Sequence, residues 1–281
     1  IHTTCRRQRQ MCIRDRKLTD SNKTGSISHD SFDKIPLNKS LGIICCSACS
    51  LLFIIAFGLP FLQLLVWSDL SETFLSVSNI KLFMNSGFLG FFTALLISIT
   101  ALVLSLAYAG STKMKGIYTA ATIGYALPGS VIAVGLLIVI NELFGISITS
   151  IGIFGLVLCL SIRFMTPAFQ YLISALENIP ESSKKALSTM PVNSLKAFTS
   201  LYLPSMRPAM LVAFLVVFIE VVKEQPATLI LRPVGFETLS SKIYNFTSEG
   251  QWELAANPSL LLVMLSFILV YFLNKRLDRN E

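Results

Sequence analysis

In a chain of 281 residues, 53% are hydrophobic and only 14% are charged, which leaves too little polar surface for a soluble domain of that size. The formal net charge of +7 is lopsided: residues 1–40 hold nine Lys and Arg against four Asp, so the other 241 residues carry only +2 and no nucleic-acid surface is implied. Six cysteines imply no disulfide framework, because Cys5 and Cys12 lie in the basic leader and Cys45, Cys46, Cys49 and Cys159 fall in apolar segments.

The leader, 1–40, is rich in Ser, Asn, Thr and Gly between positions 21 and 31 and reads as disordered. It is not a signal peptide, since the apolar run from Leu41 is too long for an h-region and no small-residue cleavage pattern follows. Met11–Arg16, MCIRDR, reads as a translated sequencing adapter, and on that reading the natural start is missing.

From residue 41 to 281 the pattern predicts an all-α, polytopic membrane domain with six apolar spans, each near the roughly 20 residues that a bilayer core requires. They run about Leu41–Trp67, Leu82–Ala109, Ile117–Ile140, Ile148–Leu176, Ala209–Val222 and Pro258–Leu273. Gly58 and Pro60 predict a bend in the first, and Trp67 suits an interface. Cys46-x-x-Cys49 has metal or redox spacing, but it stands in an apolar helix without a second ligand pair and reads as small helix residues.

The third span opens Gly124-Tyr-Ala-Leu-Pro-Gly129. Pro128 predicts a bent helix there, and the glycines predict close approach of a neighbour. Arg163, in the fourth span, reads as an anchor snorkelling to the inner face. Between the fourth and fifth spans lies a polar loop, 177–204. Its Glu181–Met190 stretch predicts a short helix whose weak apolar face is Ala186, Leu187 and Met190, enough to dock and too little to insert.

Glu220 stands about eleven residues into the fifth span, roughly 16 Å deep. A carboxylate at that depth is costly unless paired or wet. Lys223 and Glu224 follow at i+3 and i+4, so either a local ion pair or a polar lining of a path explains it. With the amino terminus inside, the inner loops hold nine Lys and Arg and the outer loops four, which predicts both termini and the 177–204 loop to be cytoplasmic.

The polar loop resembles the coupling loop of ABC importer permeases, whose pattern is Glu-Ala-Ala, three residues, Gly, nine residues, Ile, one residue, Leu-Pro. On that spacing Lys185, Ala186 and Leu187 take the first places, Pro191 the Gly place, and Leu201, Leu203 and Pro204 the last. Three identities depart: Lys185 replaces an acid, Leu187 a small residue and Pro191 a glycine. The Gly124–Gly129 string and the stretch from Glu220 to Leu239, with Lys-Glu, Pro-Ala-Thr, Arg-Pro and Gly-Phe-Glu-Thr-Leu in order, resemble the iron(III) branch of those permeases, to which a thiamine permease is close.

That resemblance covers about residues 41–273 and implies a MetI-like six-helix bundle, here similar to the carboxy-terminal of two such halves, with 1–40 as the linker between them. It implies two ATPase subunits docked inside at Lys184, Lys185, Ala186, Leu187, Met190, Pro191, Leu203 and Pro204. It also implies an outside substrate-binding protein, a second permease half and a bacterial inner membrane. Glu220, Lys223, Glu224, Tyr125 and Pro128 are the candidate path residues. The chain itself has no phosphate loop, no His-Glu-x-x-His and only His2 and His29, so no catalytic, cofactor or metal residues are expected and ATP is expected to be used by partner subunits. Ferric iron is the expected substrate, with thiamine or another small solute of the branch as the alternative. An ion-coupled secondary transporter would also show six spans and a buried acid, without accounting for the loop spacing. A membrane enzyme would need a cluster of His, Asp or Ser at one face, which is absent from the sequence.

Overall fold

Backbone groups in hydrocarbon must bond within their own segment, so long apolar stretches become helices. The computed structural model describes residues 38–69, 76–110, 116, 122–145, 148–189 and 193–277, and every regular element among them is helical. The leader, and with it the reading of residues 11–16, lies outside the described residues, as do Met190 and Pro191.

In chain order the elements are α1 (Lys39–Trp67), α2 (Val77–Gly110), a single 3-10 turn at Gly124–Ala126, α3 (Gly129–Phe144) and α4 (Ile148–Glu177). Then come α5 (Glu181–Thr189), α6 (Phe198–Lys223), α7 (Pro226–Leu231), α8 (Leu239–Ser248) and α9 (Trp252–Leu277). Five of these, α1, α2, α4 from Gly152, α6 and α9, are long and apolar enough to cross a membrane, and Gly129–Leu143 is a shorter apolar helix. Gly152, with φ 54°, breaks the start of α4 in a conformation that glycine adopts without strain.

The core is a three-helix packing of α2, α4 and α6. Leu156, Leu160, Phe164, Ala168 and Leu172 recur every fourth residue along α4 and are buried against Ala94, Ile97 and Ala101 of α2 and Met206, Ala213, Val217 and Val221 of α6. Fully buried alanines on all three helices let the backbones approach closely, which is how helices associate where lipid removes the hydrophobic drive. Gly90 serves the same end, since the Phe218 ring and Val222 occupy the space a Cβ would need. Leu261, Leu265 and Leu269 fix α9 to this core through Leu82, Leu215 and Val222. Helix α1 has no buried residue and packs mainly along α9, where Phe57 faces Phe267 at 6.1 Å.

Two expected spans differ in extent. The fifth was expected to begin near Ala209, yet α6 starts at Phe198. A π-helical turn, Phe198–Tyr202, stands directly before Pro204, and the same turn, Ile54–Gly58, stands before Pro60 in α1. The wider ring lets each proline clear the carbonyl it would otherwise strike, so the helix continues. The third does not contain a proline bend. Leu127 is extended (φ −87°, ψ 142°) and Pro128 caps α3 from outside (φ −58°, ψ 139°), because a residue before proline is driven out of the helical region.

Candidate functional site

Two helix interruptions meet against the middle of α4: the start of α3 at Pro128, and the end of α6 at Glu224. Arg163 is there, eleven residues past Gly152 and fourteen before Glu177, hence about 16 and 21 Å from the two ends. Its Nη2 lies 3.4 Å from Oε2 of Glu224, with the carboxylate side chain only 6% exposed. Arg163 is therefore not a snorkelling anchor. It is packed where α3 and α7 meet α4, and Glu224 supplies its counter-charge.

Glu224 also departs from expectation. Its partner is Arg163 rather than the neighbouring Lys223, and it closes α6, since the backbone after it is extended (φ −70°, ψ 121°). From there its Oε1 accepts the Ala227 N–H at 3.3 Å and so caps α7, while its carbonyl accepts the hydroxyls of Thr228 and Ser240, both at 3.0 Å.

The Gly124–Gly129 string lies against this pair. A Cβ on Gly124 would collide with the Ile162 carbonyl, and one on Gly129 with the Arg163 guanidinium and the Glu224 carboxylate. Thr166 donates to the Thr122 carbonyl at 3.0 Å, which ties the start of this string to α4. Nε and Nη1 of Arg163 have no hydrogen-bond partner among the described residues, although the guanidinium rests on the Phe164 ring at 5.5 Å. Tyr125 and Pro128 are exposed beside it.

Glu220 and Lys223 form a second pair within α6, Nζ to Oε1 at 3.3 Å. Beyond α7 the chain is held by Glu237, whose carboxylate binds Arg232 at 3.3 Å, Lys242 at 3.4 Å and Asn245 at 3.3 Å. The Glu237 carbonyl accepts from Asn85, and Ser86 accepts the Leu239 N–H, so the segment is tied to α2. Thr238 and Ser241 form a reciprocal cap on α8, and Gly235 takes φ 81° in the turn between. Arg-Pro, Gly-Phe and Glu-Thr-Leu in this stretch thus each have a structural task.

The polar loop holds the expected short helix. In α5, Lys184 pairs with Glu181 at 3.3 Å, Lys185 and Ala186 are exposed, and Leu187 is half-buried. Leu203 is half-buried and Pro204 exposed at the start of α6. Between α5 and the facing ends of α4 and α6 lies a cleft of about 610 Å³ lined by Tyr171, Ser174, Asn178, Ser183, Ser205 and Pro208 among others.

Short helix α5 between two spans, together with interrupted helices around a buried charge pair, is a transporter arrangement. Residues 104–280, more than half of the chain, match the family described as "Binding-protein-dependent transport system inner membrane component". The chain belongs to that family. This inner-membrane component is 28% identical over 236 residues to the Fe(3+)-transport system permease protein FbpB 2 of Haemophilus influenzae, covering 80% of this chain and 46% of that protein. It is also 28% identical over 122 residues to the ferric transport system permease protein FbpB of Actinobacillus pleuropneumoniae, covering 43% of this chain and 18% of that one. The chain thus spans less than half the length of these relatives. Its fold is that of solved ABC transporters. A bacterial alginate importer aligns with TM-score 0.65 at 14% identity, over 85% of this chain and 96% of that one. The MetNI methionine transporter aligns with TM-score 0.52 at 20% identity, over 69% and 88%.

The Arg163–Glu224 link is what sequence reasoning missed in this transport component. Its signal was present: a lone Arg deep inside an apolar helix must find an anion, and Glu224 stands just before Gln-Pro-Ala, where a helix start needs a cap.

Proposed function

We propose that this chain is one six-helix permease half of an ATP-driven, binding-protein-dependent importer in a bacterial inner membrane, and that ferric iron is the substrate. The observation that carries the first part is α5: a short, largely exposed helix between two helices long and apolar enough to cross a membrane. Such an element offers a soluble partner a mechanical hold. Two ATPase subunits would serve the assembled importer and use the ATP, one of them docking at Lys184, Lys185, Ala186, Leu187, Met190, Pro191, Leu203 and Pro204, with no cofactor held by this chain. A binding protein would deliver substrate from outside, and a second permease half would complete the path. Both termini and the 177–204 loop are assigned to the cytoplasm on the nine-to-four basic asymmetry. Iron rests on the two relatives named as ferric permeases and on the similarity to them over 236 and 122 residues.

Docking here relies on Leu187 more than on Lys185. Lys184 already has Glu181 as its partner, and a rim charge is worth under about 1 kcal/mol of binding. Leu187→Asp should abolish copurification of the ATPase, and Lys185→Ala should weaken it only moderately. Undiminished ATPase binding by Leu187→Asp would remove the basis of the assignment. Uptake of radioactive ferric iron lost on deletion of the gene and restored by the intact chain, with thiamine uptake unchanged, would fix the substrate; the reverse would make it a thiamine permease.

A further inference from the structure

We infer that the outer ends of α1 and α9 together hold the headgroup of an aminophospholipid, a lipid with a primary ammonium next to its phosphate. This site lies outside the transport reading and requires only that α1 and α9 cross the bilayer with Lys39 on the inner side. Trp67 closes α1 and Trp252 opens α9, and the two line one hollow of about 420 Å³ with Gly250, Gln251, Glu253 and Leu254. Gly250 takes φ 75°, and the Gln251 N–H donates to the Phe246 carbonyl at 2.8 Å, so the turn that carries this wall is bonded in place.

The level comes from the tryptophans. Side chains of this kind at the ends of two spans mark the membrane–water interface, where phosphates and amines of lipids lie. The charge then selects the ligand. Among the described residues that wall the hollow, Glu253 is the only charged one, and it is exposed. No Lys or Arg stands between Lys39 and Lys81 or between Lys242 and Lys275, so neither helix brings a cation to this end. Lys242 is itself held by Glu237. The hollow therefore disfavours a lipid whose headgroup is only anionic and favours one that carries an ammonium.

An exposed carboxylate alone attracts a cation weakly. Two indoles beside it add the attraction of their ring faces, which is strongest for tryptophan among the aromatic side chains. A primary ammonium also donates N–H to the carboxylate, which a quaternary choline cannot do. The Gln251 amide and the indole N–H groups are donors for the phosphate. The adjoining turns of the two helices expose Leu62, Val66 and Leu254, an apolar surface for the tails. Such a lipid has a task here. Helix α1 buries no residue and packs mainly along α9, so a headgroup bound to Trp67 and Trp252 at once pins its outer end.

The test uses the assembled transporter in vesicles of phosphatidylethanolamine and phosphatidylcholine in equal parts, treated with a water-soluble carbodiimide, which joins a carboxylate to a primary amine in contact with it. Mass spectrometry should find Glu253 linked to phosphatidylethanolamine several-fold more than Glu249, an exposed carboxylate four positions earlier that does not line the hollow. Trp252→Leu keeps the carboxylate and should lose most of the Glu253 adduct. Equal coupling at Glu253 and Glu249, or coupling unchanged by Trp252→Leu, would mean chance encounters in the bilayer and would overturn the inference. Two further arms separate the sources of the amine. Glycerophosphoethanolamine, the headgroup without tails, should couple poorly in vesicles of phosphatidylcholine alone; coupling equal to that of the lipid would make this a site for a soluble amine. A link from Glu253 to a lysine of an added binding protein, in place of the lipid, would make it a protein contact. Either result overturns the lipid site and leaves the importer reading untouched, since neither uptake nor ATPase binding is read.

Discussion

Glu220 and Glu224 are four residues apart, and each holds a cation at about the same distance, yet the two pairs do different things. Glu220–Lys223 is local, i to i+3, and half open. Arg163–Glu224 joins residues from α4 and the α6–α7 corner, is largely buried, and also caps α7. What separates them is the partner: a neighbour on the same helix for Glu220, a residue of another helix for Glu224. A local pair can break without moving a helix; the other pair holds an interrupted helix in place.

The largest expected effect comes from breaking the buried pair on one side. Arg163→Leu strands the Glu224 carboxylate among apolar neighbours, at a cost of about 3–5 kcal/mol. The permease should lose most of its folded yield in detergent. Adding Glu224→Gln keeps an acceptor for the Ala227 N–H while removing the stranded charge, and should recover most of the yield. A single Arg163→Leu variant that melts with the parent would show that the pair fixes nothing.

Gly129→Ala should come next. The added Cβ enters the space of the Arg163 guanidinium and the Glu224 carboxylate, and overpacking of this kind costs about 1–3 kcal/mol. Gly135, on the same helix, has open space around its missing Cβ. Gly135→Ala should therefore be neutral or slightly stabilising, by the helix preference of alanine over glycine, up to about 1 kcal/mol. The pair of melting temperatures isolates the site from the general cost of altering α3.

The contrast also explains which parts of the fold could be read from the chain. The long apolar helices were legible because hydropathy and length fix them almost alone, and α5 because its polar run contains neither Gly nor an internal Pro. Glu220–Lys223 was legible because i and i+3 share a helical face. Arg163–Glu224 was not, since the partners are 61 positions apart on different elements and only the packing of those elements brings them together. Prolines were the least legible signal. Pro60 and Pro204 are carried through by π-helical turns while Pro128 ends up outside a helix, and nothing local in Leu-Pro distinguishes the three.

The smallest stability effect and the most informative functional one belong to Glu220. Its pair is half open and local, so Glu220→Gln should lower the melting temperature less than Arg163→Leu does. If this carboxylate lines the translocation path, as the family resemblance implies, uptake should fall while the amount of assembled permease stays the same. Glu220→Gln also leaves Lys223 without its counter-charge in the membrane, which by itself would lower uptake if the pair were merely structural. The variant carrying both Glu220→Gln and Lys223→Gln tells the cases apart. It has no stranded charge, so a structural pair predicts recovered uptake, whereas a path carboxylate predicts that uptake stays low because the carboxylate itself is missing. Recovery would place Glu220 with Glu224, among the groups that hold helices rather than meet substrate.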